Sequence, residues 1–217
     1  ADTDGDGRPN DCDSACEALG MVADPDDDND GVNDEDDVYP LDATLWSMKI
    51  EDALAGIIDD NLRACVAEAA SGMQQVSEVT ELNCARRQVS ALNGLSGLTN
   101  LTTLVLHDNQ VTDVSELSGL INLTFLNLGN NQITDISGLS GLTNLTWLNL
   151  RTNQIMDISA LSGLTNLTYL SLSTNQIMDV SALSGLTNLA DLYLYDNQIT
   201  DISALSGLTN LTWLNLR

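Results

Sequence analysis

From Val89 onward the apolar residues of this chain return every 22 positions, in units that begin at Val89, Val111, Ile133, Ile155, Ile177 and Ile199, the last stopping at Arg217. In a unit such as ITDISGLSGLTNLTWLNLRTNQ (133–154) apolar residues occupy positions 1, 4, 7, 10, 13, 16 and 18, and position 21 is Asn in all five complete units. Over its whole length this is neither a helix period nor simple strand alternation. The alternation around positions 16 and 18 predicts a short strand with those leucines inward and positions 15, 17 and 19 on the opposite face. Each unit can bury its leucines only against its neighbours, so the units must stack side by side. Ahead of the array, IEDALAGIIDDNLRACVAEAASG predicts a helix from about Asp60 to Ala70, capped by Asp59 or Asp60 and stopped near Gly72. Leu62, Cys65, Val66 and Ala69 form its apolar face. VTELNCARRQ (79–88) then aligns with the strand half of a unit, with Cys84 at a core leucine position and Arg87 where Asn belongs.

A 22-residue period built on L-x-x-L-x-L-x-x-N resembles the leucine-rich repeats of internalin-type bacterial surface proteins, over residues 79–217. The resemblance implies an α/β solenoid with a parallel sheet on its concave face and a small helical N-cap. It divides the chain into an N-terminal arm (1–42), a linker and cap (43–78), and the solenoid (79–217), with a degenerate first strand and six units, the last truncated. Several repeated polar residues have structural readings first. Asn109, Asn131, Asn153, Asn175 and Asn197 are expected to turn inward as a ladder that satisfies backbone groups at a bend. Asp113, Asp135, Asp157, Asp179 and Asp201 lie in D-[IV]-S contexts where a carboxylate caps backbone N–H groups, with a metal-binding column as the alternative. Five N-L-T sequons, the first at Asn100, fall out of the repeat consensus and carry no evidence of glycosylation.

The variable positions carry the candidate chemistry. Position 15 reads Thr103, Phe125, Trp147, Tyr169, Asp191, Trp213, and Tyr193 and Tyr195 occupy positions 17 and 19 of one unit. Six of the eight aromatic residues therefore lie on the concave face, while leucine fills the core. Strands about 4.8 Å apart would align Phe125, Trp147 and Tyr169 into one ridge, flanked by Asn127, Asn149 and Arg151. Such a strip suits a binding surface for a protein or glycan. Cross-strand pairing for stability is the alternative.

Charge changes the picture at the other end. Against a net charge of -25, nucleic acid and anionic membrane surfaces are poor partners, and no apolar run approaches a membrane span of about 20 residues. Half of the 32 acids fall in residues 1–42. There, DTDGDGRPNDCD (2–13) and DDDNDGVNDEDD (26–37) both read D-x-D-x-D-G with an oxygen side chain at position 9 and Asp at position 12. Glycine at position 6 lets the backbone turn so that carboxylates converge on a hard cation. Loop one offers Asp2, Asp4, Asp6, the Arg8 carbonyl, Asn10 and Asp13. Loop two offers Asp26, Asp28, Asp30, the Val32 carbonyl, Asp34 and Asp37. Calcium fits this oxygen-rich set better than magnesium or zinc. An EF-hand is excluded by the lack of flanking amphipathic helices and by Asp in place of Glu at position 12. The pattern resembles thrombospondin type 3 repeats, which implies a calcium-wrapped arm; an acidic disordered tail is the alternative.

Four cysteines suit an oxidising compartment and allow three pairings. The favoured ones are Cys65–Cys84, tying the cap helix to the first strand, and Cys12–Cys16, closing a loop after the first acidic site. No catalytic set is visible, since His107, the single histidine, has no nucleophile placed beside it by any motif. The expectation is a secreted or bacterial cell-surface binding or adhesion module, monomeric or part of a longer chain, and not an enzyme. A structural spacer, or an ancillary module of a larger protein, is the alternative. Near-identical units without a C-terminal cap suggest an array that continued, with Leu208, Leu211, Leu214 and Leu216 facing solvent if it did not.

Overall fold

The structure, a computed structural model, describes residues 49–217. The two acidic loops and the Cys12–Cys16 pairing lie outside the described residues. Two helices open the fold: α1 (Ile50–Gly56) and α2 (Asp60–Ala69). Seven three-residue strands follow: β1 (Glu81–Asn83), β2 (Thr103–Val105), β3 (Phe125–Asn127), β4 (Trp147–Asn149), β5 (Tyr169–Ser171), β6 (Asp191–Tyr193) and β7 (Trp213–Asn215). They form one parallel sheet in chain order, and every register pair is 22 residues apart, as in Phe125 with Trp147. Each unit returns on the other side through a short 3₁₀ turn such as Ser137–Leu139.

Side chains at positions 1, 4, 7, 10, 13, 16 and 18 of the first five units are at most 2% exposed and form one continuous core. Burying one leucine is worth about 2 kcal/mol, and the unit period repeats that contribution along the array. The backbone at the bend is satisfied by the asparagine ladder. Asn153 Oδ1 accepts from Ile133 N at 3.0 Å, and its Nδ2 donates to the carbonyls of Leu128 and Leu150 at 3.1 and 3.0 Å. Leu150 O also accepts from Asn175 Nδ2 at 3.0 Å, so successive units share acceptors. The aspartates cap as expected: in each complete unit after the first, and in the last, Asp Oδ1 accepts from the Ser N–H two residues on, at 2.8 Å.

A second ladder was not anticipated. The asparagines at position 12, all but Asn188 in N-L-T sequons, donate from Nδ2 to a carbonyl 23 residues back, as from Asn144 to Ile121 O at 2.9 Å. The following threonines donate to the carbonyl 22 residues back, as from Thr146 to Thr124 O at 3.1 Å. The consensus T-N-L-T is therefore a brace between turns. At position 20 the chain enters the left-handed region, with φ of 58° at Asp108, 55° at Asn130 and Thr152, 57° at Thr174 and 51° at Asp196. Asp and Asn tolerate this conformation, whereas a β-branched threonine is strained there.

The cap departs from the repeat pattern by contacts made once. Cys65 and Cys84 form a disulfide, with Cα atoms 5.7 Å apart, joining α2 to β1. Arg87, at an asparagine position of the ladder, pairs instead with Glu68 of α2 at 2.7 Å. Asp59 caps α2 through Leu62 N at 2.9 Å, while its other oxygen accepts from Ser90 N and Oγ, both at 2.8 Å. Burial raises its pKa, but those hydrogen bonds outweigh it and hold the carboxyl below the usual aspartate range. Helix α1 was not expected from the sequence. Its packing against the first repeat depends on Gly94, at φ 84°, where a Cβ would lie 2.4 Å from the Gly56 carbonyl oxygen. At the far end the expected exposure is only partly found: Leu208 is 4% exposed and Leu211 half-buried beneath the preceding unit, whereas Leu214 and Leu216 are each 41% exposed.

Candidate functional site

Positions 15, 17 and 19 of successive units project from the concave face as three adjacent columns, because the strands stand in register without offset. In the first column Phe125 and Trp147 stack with ring centroids 4.1 Å apart and planes within 6°. Trp147 and Tyr169 stack at 4.7 Å and 8°. These separations approach the strand spacing of about 4.8 Å, so adjacent strands hold the rings face to face. Asp191 ends the column in the next unit, and the ridge crosses to position 17, where Tyr193 meets Tyr169 at 5.4 Å and 42°. Burial pushes the Tyr169 hydroxyl up, with Tyr193 and Asp191 adding to the effect, so it remains a neutral O–H. Trp213 is 55% exposed and stands apart from the ridge, separated from it by Asp191.

The orientation of the rings has a chemical consequence. Stacking occupies their faces with one another and leaves their edges toward solvent. An aromatic edge carries the positive end of the ring quadrupole and the face the negative end. The ridge thus offers C–H edges, with an indole N–H and phenol O–H groups among its polar tips.

Beside the ridge, Asn127 and Asn149 stand at position 17. Asn149 Nδ2 donates to Asn127 Oδ1 at 3.1 Å, which also accepts from Gly129 N at 3.2 Å. Asn149 Oδ1 accepts from Arg151 N at 2.9 Å. The Arg151 guanidinium lies 5.5 Å from the Tyr195 ring centroid. This pair closes over Ser173, the residue between them in the column, which is fully buried with no partner for its Oγ. All the concave-face residues expected from the sequence are on one surface; Phe125, Trp147, Tyr169 and Tyr193 are joined in ring contact, Arg151 and Tyr195 form a separate pair, and Trp213 is isolated.

Sequence reasoning passed over a cleft of about 490 Å³ at the N-terminal end of this face, among Arg86, His107, Asp108, Gly129, Asn149 and Arg151. Asp108 Oδ2 receives Arg86 Nε at 3.0 Å and His107 Nδ1 at 2.9 Å, and Oδ1 receives Asn130 Nδ2. The Asn130 hydrogen bond, then Arg86 and His107, hold this carboxyl far below its ordinary range. The signal in the sequence was a glycine at position 19 between His107 and Arg151, a gap in a column otherwise filled by side chains.

The family described as Leucine Rich repeats (2 copies) matches residues 77–119, 99–141, 121–163 and 143–185, and that described as Leucine rich repeat matches 178–217. No curated protein matches the chain. Among solved structures, an internalin C2 from Listeria monocytogenes is 34% identical, with a TM-score of 0.58, over 76% of this chain and 86% of that one. An internalin, inlF, from the same organism is 34% identical over 74% of this chain and 56% of that one, at 0.61. The functional domain of InlJ from Listeria monocytogenes, which includes a cysteine ladder, is 28% identical over 79% of this chain, at 0.61, and this chain spans 43% of its length. Among the described residues no helix is long and apolar enough to cross a membrane. The chain belongs to the leucine-rich repeat family, and its solenoid is similar to those of the internalins.

Proposed function

We propose that this chain is a secreted or cell-surface recognition module that binds a protein partner on its concave face. The observation that carries this reading is the aromatic ridge, which runs across four strands outside a core already filled by leucine. Half-exposed aromatics beside Arg and amide side chains are typical of residues that dominate interface energies. A glycan is the poorer fit for the ridge, because both faces of Trp147 and one face each of Phe125 and Tyr169 are turned to one another. The Cys65–Cys84 disulfide agrees with an oxidising compartment. Residues 1–42 complete the reading as a calcium-dependent arm that sets the distance and rigidity of the solenoid's presentation, with an affinity on the order of 0.1–1 mM as in extracellular modules.

Stacked rings are also what a stiffened spacer would show, so the second reading is structural. Binding of labelled chain to panels of host cells, matrix proteins and glycans, with calcium and with chelator, separates the two. A Trp147→Ala, Tyr169→Ala double variant that keeps its circular dichroism should lose at least tenfold in binding to a protein on the panel. Equal binding by variant and native chain would favour the spacer. Chelator should change the arm and leave the solenoid folded; a solenoid that melts on calcium removal contradicts that division.

A further inference from the structure

We propose that the cleft between His107 and Arg151 is a docking subsite for a carboxylate side chain, Asp or Glu, of the protein partner. The inference rests on the reading of the concave face as a protein-binding surface and assigns the chemistry of one contact on it.

Charge is the first argument. Residues 79–217 hold four basic side chains against ten acids, yet two of the four, Arg86 and Arg151, line this cleft together with the only histidine of the chain. Their strands are three spacings apart, so about 14 Å separates their backbones, and the cleft lies between. Its one carboxylate, Asp108, has both oxygens engaged by Arg86, His107 and Asn130. Hence the acid neutralises part of the local charge, and only Oδ1, which accepts a single hydrogen bond, keeps accepting capacity.

The donor and acceptor inventory points the same way. Asn127 Oδ1 already accepts twice and Asn149 Oδ1 accepts from the Arg151 backbone. Asn127 Nδ2 has no partner among the described residues, and Asn149 Nδ2 has one of its two protons free. The Arg151 guanidinium makes no ion pair among the described residues; it rests over Ser173 toward the Tyr195 ring, at the edge of the cleft, with its N–H groups free to donate. The cleft therefore presents surplus N–H groups and few free acceptors, which a carboxylate satisfies and an amide satisfies only in part. Gly129 lets the Asn127 and Asn149 amides close over the backbone: a methyl group there would sit 2.9 Å from Asn149 Nδ2 and 3.4 Å from Asn127 Oδ1, so the Asn149 N–H stands where a side chain would otherwise be.

The test is a titration of the isotopically labelled full chain with N-acetyl-glutamate amide, N-acetyl-glutamine amide and the methyl glycoside of glucuronic acid, read from the side-chain N–H signals of Asn127, Asn149 and Arg151. Saturable shifts with the glutamate derivative, at least fivefold tighter than with the glutamine one, are expected. Arg151→Gln should weaken them at least fivefold, and so should Gly129→Ala, which displaces the Asn149 amide at unchanged charge. Trp147→Ala should leave them within twofold, so loss of partner binding in that variant with an intact titration separates the ridge from the cleft. Equal response to glutamate and glutamine, shifts that persist in both cleft variants, or tighter binding of glucuronate would each overturn the proposal.

Discussion

The cap and the array solve the same burial problem in opposite ways. In residues 89–217 the contacts that hold the scaffold are each made about five times: leucine on leucine, asparagine into the bend, aspartate onto its turn. In residues 49–88 each contact is made once, by a disulfide, an Arg87–Glu68 pair and the doubly used Asp59. Redundancy makes any position of the array equivalent to its neighbours 22 residues away. The cap has no such equivalents, so its few contacts determine how the first repeat is closed.

The strongest challenge to that equivalence is a core truncation repeated in two units. Leu148→Ala and Leu170→Ala should each cost about 4 kcal/mol and agree within about 0.5 kcal/mol in urea unfolding; a wide gap would show that the units are not interchangeable. Removing the cap staple by Cys65→Ser with Cys84→Ser should cost about 3 kcal/mol, and hydrogen exchange should then accelerate at β1 before β4. Within the ladder, Asn153→Ala leaves the buried Ile133 N–H unpaired and should cost about 2 kcal/mol.

Acid sharpens the contrast. Because the folded pKa of Asp59 is lowered, its contribution is fully present above the ordinary aspartate value of 3.8 and is lost as pH falls through the folded value. Amide signals of Ser90 and Leu62 should therefore broaden or shift only as pH falls below that ordinary value, and Asp59→Asn should remove that pH dependence. The smallest effect is a gain: Thr174→Asn, which relieves a β-branched residue at φ 57°, should raise stability by about 1 kcal/mol in the same unfolding assay.

The parts of this fold that were legible beforehand are those set by spacing alone. The 22-residue period determined the strands, the leucine core, the asparagine ladder and the alignment of Phe125, Trp147 and Tyr169. Cys84 could be paired with Cys65 because both fell on apolar positions of adjacent elements. What escaped depended on side-chain torsions or on single contacts. Spacing puts three rings in a column but does not say whether faces or edges turn outward. Asn144 and Thr146 read as consensus residues because their partners are carbonyls, which carry no sequence signal. Helix α1 is about two turns of IEDALAG, too short for a period, and is held by packing against Gly94. The cleft was missed because a missing side chain, at Gly129, is its principal feature.

The hydrogen bonds between units span 20 to 25 residues and recur with every turn, as from Asn153 to Ile133 and to Leu128. A genetic crossover that deletes one 22-residue unit in register therefore leaves every ladder residue opposite an equivalent partner. Losing 133–154 would set Phe125 beside Tyr169 and Gly129 beside Ser173, and Arg151 would be gone. The scaffold would survive such an event unchanged while its recognition surface was rewritten without a single point mutation.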